Sequence, residues 1–173
     1  MGARAVVLTV SDRCSAGVQV DASGPAVARL LAGAGLTQMI CETLPDEVQE
    51  IAHALRHHAA NAELIVTTGG TGLALRDVTP EATRMVCDRL VEGLAERMRL
   101  VSYAETPMAP LSRAVCGCVG ATLIVNLPGS PAGAETSLRA ILGILPHALA
   151  LLAGQTEHAP STIANDIDAQ VPA

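Results

Sequence analysis

The sequence contains no lysine, and all eleven of its basic residues are arginines. This absence excludes mechanisms that need a side-chain amine: a Schiff base, an adenylyl-lysine intermediate or the lysine of a phosphate-binding P-loop. Any phosphate that the protein binds must therefore be neutralised by arginine, by backbone N–H groups or by a bound metal ion.

Aromatic side chains are also scarce, because the 173 residues include no Phe, no Trp and one Tyr, Tyr103. Proteins that bind single-stranded nucleic acid commonly stack the bases on aromatic rings, which this chain cannot do as its main mode of binding. The formal net charge of −6 points the same way, since proteins that bind a phosphate backbone are usually basic. We therefore expect no nucleic-acid partner.

Cysteines are few and long apolar runs are missing. The five cysteines are an odd number, and we find neither a signal peptide nor an apolar run of membrane-spanning length. Cys116-Gly117-Cys118 is too short for the usual Cys-x-x-Cys metal pair, and we interpret these cysteines as small buried apolar residues. These features favour a reducing cytoplasm and no membrane association.

The hydrophobic content of 50 % suits one domain with a sizeable core. Continuous apolar runs predict buried strands at 4–10, 37–44, 64–66 and 121–127. Helical periodicity predicts helices at 25–35, 46–59, 79–90, 94–103, 108–115 and from 131 onward, with a kink or restart at Pro146. Strands that alternate with helices predict an α/β fold, a three-layer α/β/α sandwich around a mostly parallel sheet. We expect one domain over residues 1–153 and a polar tail over 154–173.

The most distinctive segment is Thr67-Thr68-Gly69-Gly70-Thr71-Gly72, which lies between a predicted strand and a helix that begins near Thr79. Glycines permit positive φ and bring N–H groups close to a phosphate, and a helix start adds further N–H donors. Asp77 could hold a cation against the same phosphates. The segment fits neither a Walker A loop nor the dinucleotide-binding fingerprint. A tight strand-to-helix turn without a ligand is the alternative interpretation.

Polar turns follow all four predicted strands, after Val10, Leu44, Val66 and Leu127. Ligands of parallel sheets bind beyond the carboxyl ends of the strands, so we expect these turns to converge on one pocket. Each polar residue also has a purely structural interpretation: Asp46 could cap the helix that follows it, and an aspartate such as Asp12 could close an Asx-turn. The functional interpretation depends on the convergence of the turns.

Seven short segments carry a family resemblance that extends from Arg4 to about Leu152. They are Val10-Ser11-Asp12-Arg13 with Asp21-Ala22-Ser23-Gly24, Leu44-Pro45-Asp46-Glu47, Thr67 to Gly72 with Arg76-Asp77-Val78-Thr79-Pro80-Glu81, Leu111-Ser112-Arg113-Ala114, and Asn126-Leu127-Pro128-Gly129-Ser130-Pro131. Together they resemble the molybdopterin adenylyltransferase family, the Mog and MoaB proteins of molybdenum cofactor biosynthesis. The chain departs from the family pattern at Glu92-Gly93-Leu94-Ala95-Glu96, where Pro-Gly-Phe-Gly-Glu or a similar sequence is usual.

The resemblance implies transfer of AMP from Mg-ATP to the terminal phosphate of molybdopterin, with release of pyrophosphate. By motif position, Asp46 and Asp77 would be the catalytic carboxylates and the ligands of Mg²⁺. The implied nucleotide-binding residues are Ser11, Asp12, Gly69, Gly70, Thr71, Gly72, Pro128, Gly129 and Ser130, and the implied substrate-binding residues are Arg76, Thr79 and Ser112. The resemblance also implies a homotrimer and, as a further partner, a molybdenum-insertion enzyme.

This reaction suits the side chains that the chain has. A phosphate monoester is ionised near neutral pH, so the acceptor needs no general base. Catalysis then consists of positioning two polyanions and neutralising charge. Two alternatives remain from other classes: a non-catalytic molybdopterin-binding or scaffold module, and a phosphate-ester hydrolase that uses the same metal site.

Overall fold

A computed structural model describes residues 3–155 of the chain. Nearly all of the predicted polar tail at 154–173 therefore lies outside the described residues. The strands are β1 (Arg4–Val10), β2 (Gln38–Leu44), β3 (Leu64–Thr68), β4 (Arg89–Leu90), β5 (Cys116–Val119) and β6 (Thr122–Leu127). Within residues 3–155 they form one six-stranded sheet in the order β2-β1-β3-β6-β5-β4.

The helices cover both faces of this sheet. They are α1 (Asp12–Ser15), α2 (Ser23–Gly33), α3 (Val48–Ala59), α4 (Thr79–Val86), α5 (Glu92–Tyr103), α6 (Pro131–Leu142) and α7 (Leu145–Leu152). Helices α2, α5, α6 and α7 pack on one face, and α3 and α4 pack on the other. The predicted three-layer α/β/α sandwich is confirmed.

The last two helices are separate elements. Pro146 lies in the first turn of α7, as expected for a residue that restarts a helix, and α6 and α7 are bent by 64° at the break between them. Among the described residues, no single helix is long and apolar enough to cross a membrane, although the bent pair α6 and α7 passes that test by length and composition.

The central strands β1, β3 and β6 are buried on both faces. Along β1, Val7 belongs to the core beneath α2, α5, α6 and α7, whereas Leu8 belongs to the core beneath α3 and α4. Full burial of such a side chain contributes about 1.5–3 kcal/mol, so the apolar runs stabilise both interfaces at once. Continuous apolar sequence was therefore a good predictor of these strands.

The far edge of the sheet differs from the prediction. The helix predicted at 108–115 is wrong, because the chain makes only a 3₁₀ turn at Ala109–Leu111 and then enters β5. Helix α4 ends at Val86 rather than near Leu90. The backbone N–H groups of Asp88 and Val91 donate instead to Cys118 O and Cys116 O, at 2.9 and 2.8 Å. An antiparallel edge made of β4 and β5 thus completes the sheet.

The register of the parallel strands aligns their carboxyl ends. Val10 at the end of β1 is opposite Leu44 of β2, and Thr9 is opposite Thr68 of β3. Thr68 is in turn opposite Leu127 of β6. The four polar turns that follow these strands therefore emerge at one edge of the sheet, as the sequence predicts.

Candidate active site

A diglycine turn, Gly69-Gly70, follows β3 and lies between its two neighbouring strands. Both residues have positive φ, +106° and +61°. The N–H of Gly69 donates to Leu127 O at 3.2 Å, and a β-carbon on Gly69 would lie 2.1 Å from Val10 O. Since real β-carbons do not approach a carbonyl oxygen so closely, only glycine fits between the ends of β1 and β6.

Two threonines support this turn from beneath. Thr79 is fully buried; its hydroxyl donates to Gly69 O at 2.9 Å and its N–H donates to Gly70 O at 3.1 Å. Thr68 donates its hydroxyl to Pro128 O at 2.7 Å, which ties the turn after β6 to the turn after β3. The structure thus places Thr79, for which the resemblance implies substrate contact, beneath the turn and with its hydroxyl already engaged.

Asp46 follows β2 and reaches the same turn. Its Oδ1 lies 3.1 Å from the position that a β-carbon on Gly70 would occupy. Its Oδ2 accepts the N–H of Asp12 at 2.8 Å, and its own N–H donates to Asp12 Oδ1 at 2.9 Å. The N-cap of α3 is Glu47, so Asp46 is not the simple helix cap that the sequence alone allowed.

The two aspartates have opposite electrostatic environments. Burial raises the pKa of the Asp46 carboxyl, and the negative charges of Asp12 and Asp77 act in the same direction. The N–H of Asp46 and the guanidinium of Arg76 lower the pKa of Asp12. Asp46 is therefore a carboxylate that a nearby cation would stabilise, whereas Asp12 already has its cation.

Arg76 is the cation that pairs with Asp12. Its Nε and Nη2 donate to Asp12 Oδ2 at 3.0 and 2.8 Å, and its Nη1 donates to Glu47 Oε1 at 2.8 Å. Arg76 lies in the loop before α4, and its two ion pairs connect that loop to the turn after β1, through Asp12, and to the start of α3, through Glu47. The guanidinium is thus committed to protein carboxylates, although the resemblance implies a substrate-binding role for it.

A second arginine, Arg113, holds the loop that carries Asp77. Its Nε donates to Gly72 O at 2.7 Å, its Nη1 to Glu81 Oε1 at 2.5 Å and its Nη2 to Asp77 O. The Asp77 carboxylate turns back to accept the N–H of Ala74 at 2.8 Å. Nothing in the sequence singled out Arg113 beyond its place in one of the resembling segments, because its partners lie 32 to 41 residues away.

A polar cavity of about 250 Å³ lies beyond the ends of β1 and β3. Ser11, both glycines of the turn, Asp46 and Asp77 line it, so the structure brings these candidates together. Within residues 3–155, no group of three or more His, Cys, Asp or Glu side chains is close enough to form a metal site by itself.

Asp21 also lines this polar cavity, and sequence reasoning did not single it out. It accepts the hydroxyl of Thr9 at 2.6 Å and the N–H of Gly24 at 3.0 Å. The only signal in the sequence was its position in the segment Asp21-Ala22-Ser23-Gly24 before α2.

A larger cavity of about 400 Å³ lies on the other side of the diglycine turn, against α5 and α6. The candidates that line it and not the polar cavity are Thr71, Gly72, Ser112, Pro128 and Ser130. Gly70, Asp77 and Gly129 line both cavities and separate them. Of the remaining candidates, Asp12, Arg76 and Thr79 line neither cavity and support the turns instead.

The arrangement defines an α/β protein with paired cavities at the carboxyl edge of a parallel sheet, one of them lined by carboxylates. A family model described as a probable molybdopterin binding domain matches residues 6–147. A solved structure of the molybdopterin biosynthesis enzyme MoaB from Thermus thermophilus is 51 % identical, covers 88 % of this chain and 97 % of its own, and has a TM-score of 0.81.

Curated relatives give the same result. The molybdopterin adenylyltransferase of Helicobacter pylori J99 is 40 % identical over 152 residues, which is 86 % of each chain. The molybdenum cofactor synthesis protein cinnamon of Drosophila melanogaster is 43 % identical over 149 residues, and there this chain spans 25 % of the relative's length. The chain belongs to the molybdopterin adenylyltransferase family, which includes the Mog and MoaB proteins. The resemblance stated from the sequence is confirmed, and with it the assignment to an enzyme family of molybdenum cofactor biosynthesis.

Proposed function

We propose that this protein transfers AMP from Mg-ATP to the terminal phosphate of molybdopterin. An oxygen of the pterin phosphate attacks the α-phosphorus of ATP and forms a new P–O–P bond. The bond between the α-phosphorus and the bridging oxygen breaks, and pyrophosphate leaves with that oxygen and its electron pair. The products are adenylyl-molybdopterin and pyrophosphate.

One observation carries this proposal: the diglycine turn, Asp46 and Asp77 line one polar cavity that adjoins a second cavity large enough for a heterocycle. We place the ATP phosphates at the turn, and the pterin in the larger cavity beside Ser112. The reacting groups then meet where Gly70, Asp77 and Gly129 border both cavities.

The chain's own residues bind and orient in this reaction. The acceptor phosphate is ionised near neutral pH, so no side chain has to remove a proton from it. The short side chains and bare glycines of the turns allow the two phosphate groups to approach each other closely. Arg76 and Arg113 act indirectly, because each fixes a turn through carboxylate or carbonyl partners.

Mg²⁺ fits the residues present. Asp46 and Asp77 offer carboxylate oxygens, the ligands that Mg²⁺ prefers, and both line the polar cavity. Burial and the negative charges of Asp12 and Asp77 raise the pKa of Asp46, so a cation bound beside it would stabilise its ionised form. Because no three His, Cys, Asp or Glu side chains within residues 3–155 are placed to hold a metal ion together, we expect phosphate oxygens and waters to complete its coordination. Bound there, Mg²⁺ would neutralise the charge that develops as pyrophosphate leaves.

The family resemblance supports three further proposals. We propose that the protein is a homotrimer, that it acts in the cytoplasm, and that it passes its product to a molybdenum-insertion enzyme. Sedimentation of the purified protein measures the first of these directly.

The reaction is tested by incubating the protein with ATP, Mg²⁺ and molybdopterin and separating the products. Adenylyl-molybdopterin and pyrophosphate in equal amounts are the expected products. Free AMP or ADP formed without the pterin would identify a hydrolase instead. Binding of molybdopterin without turnover would identify a scaffold module. Omission of Mg²⁺ is the matched control and should stop the reaction.

A further inference from the structure

The two cavities are poor in positive charge for a site that accepts two polyanions. Asp21, Asp46 and Asp77 all line the polar cavity. Among the described residues, Arg99 is the only cationic side chain that lines either cavity, and it lines the larger one. A metal ion at Asp46 and Asp77 would compensate charge at the polar cavity and at the border that Asp77 forms with the larger cavity, but not along the wall made by α5 and α6.

Other arginines near the site are committed elsewhere. Arg76 is paired with Asp12 and Glu47, and Arg113 with Glu81 and two carbonyl oxygens. Neither lines a cavity. With lysine absent from the sequence, Arg99 is the side chain left to meet an anion in the larger cavity.

Arg99 donates a hydrogen bond to a backbone carbonyl but is not paired with a carboxylate within the described residues. It lies half-buried on α5, and its Nη1 donates to Ala114 O at 3.2 Å. Arg99 also lines a smaller cavity together with Glu92 and Glu96, yet within residues 3–155 it forms no ion pair. A guanidinium has five N–H donors, so most of its donor capacity remains for a ligand.

The wall around Arg99 combines hydroxyls with an apolar surface. Ser102, one turn further along α5, lies 3.2 Å from the hydroxyl of Ser137 on α6, and both line the larger cavity. Met98 adds apolar surface to the same wall. This mixture suits a heterocycle that carries an anionic group: the ring packs on the apolar surface, and the guanidinium binds the anion.

We propose that Arg99 binds the acceptor substrate by contacting an anionic group of the molecule in the larger cavity. The inference rests on the proposed function, since it takes that molecule to be molybdopterin. ATP is the less suitable ligand for Arg99, because the polar cavity with its metal-binding carboxylates accounts for the triphosphate. Arg99 is thus a residue for affinity and specificity toward the pterin.

The test compares Arg99→Gln with Arg97→Gln. Arg97 lies on the same helix, donates to Ala140 O at 2.6 Å and lines neither cavity, so its replacement changes the charge of the chain equally. Binding of molybdopterin is measured by ultrafiltration, with the retained pterin quantified by fluorescence after oxidation. ATP binding and turnover are measured on the same samples, and melting curves report folding.

For Arg99→Gln we expect the Kd for molybdopterin to rise about 10- to 100-fold, because a charge-assisted hydrogen bond is lost. The Kd for ATP should stay unchanged. Arg97→Gln should leave both constants at their wild-type values. Arg99→Lys keeps the charge and should recover part of the affinity. If Arg99→Gln folds poorly, the Kd of Arg99→Lys for molybdopterin is compared with that of the wild type instead, and an unchanged Kd would overturn the inference.

Wild-type pterin affinity in folded Arg99→Gln, or a loss confined to ATP, overturns the inference while the proposed function stands. Equal losses in Arg97→Gln and Arg99→Gln would also overturn it, because the effect would then reflect net charge. Failure of the wild-type protein to bind or adenylylate molybdopterin would instead refute the proposed function itself.

Discussion

Replacing Gly69 with alanine tests the close packing of the diglycine turn. The new β-carbon would lie 2.1 Å from Val10 O, so the turn or the end of β1 must move by most of an ångström. Alanine must also adopt a φ of +106°, which costs about 1–2 kcal/mol for an L-residue. Overpacking at a buried contact adds about 1–3 kcal/mol. We therefore expect Gly69→Ala to lower the free energy of unfolding by about 2–5 kcal/mol.

The matched control is Gly35→Ala. Gly35 has a φ of +93°, but no atom lies within 4 Å of the position of its β-carbon. This control should cost the backbone strain alone, about 1–2 kcal/mol. In a chain of this size, each kcal/mol corresponds to about 2–4 °C in the melting temperature.

Urea and thermal unfolding, followed by circular dichroism, measure both variants, and ATP binding is measured on the folded fraction. The expected result is a clearly larger loss of stability for Gly69→Ala, together with weaker ATP binding. Equal melting temperatures for the two variants would show that the contact with Val10 O is not a steric constraint, and the argument for this turn would be refuted.

The remaining predictions concern the polar cavity. In Asp46→Asn we expect turnover to be lost while the melting temperature at pH 7 stays the same or rises. The pKa of the Asp46 carboxyl is higher in the folded than in the unfolded chain, so its ionisation lowers the free energy of unfolding as the pH rises through the unfolded and then the folded pKa. The melting temperature of Asp46→Asn relative to wild type should therefore increase from pH 4 to pH 7, and paired thermal melts that show no increase would contradict this. In Asp77→Asn the side-chain oxygen can still accept the N–H of Ala74, so the fold should persist while kcat falls about 100- to 1000-fold; full activity would rule out its metal role. In Gly70→Val the β-carbon would lie 2.4 Å from Thr79 Oγ1 and 3.1 Å from Asp46 Oδ1, so ATP affinity should fall; calorimetry that shows unchanged affinity would count against a phosphate site at this turn.

The central part of the fold could be predicted from sequence because its signals are local. Apolar runs such as Ala5 to Val10 indicate a strand buried on both faces, and alternating strands and helices indicate a parallel sheet. The edge strands β4 and β5 could not be predicted in the same way. Arg89–Leu90 has only two residues, and Cys116–Val119 contains a glycine and no long apolar run, so both depend on partners distant in sequence.

For the candidate site, too, residues with a local sequence signal could be predicted, and residues that depend on distant contacts could not. The residues at the ends of predicted strands, such as Asp46 and Gly70, could be found because parallel strands align their carboxyl ends. Arg113 could not, since its partners lie 32 to 41 residues away along the chain. The position of Arg99 at the larger cavity could not be found either, since it depends on how α5 packs beside the turns. Thr79 shows a different limit: the family resemblance implied a substrate contact, and only the structure shows that its hydroxyl donates to Gly69 O beneath the turn.

Gly70, Asp77 and Gly129 divide the two cavities, and two of these three residues have no side chain. At Gly70 and Gly129 the boundary that the two cavities share is therefore formed by main-chain atoms. Ligands bound in the two cavities would face each other at these glycines without a side chain between them. Under the proposed function, the close approach of donor and acceptor therefore depends on these two positions remaining glycine.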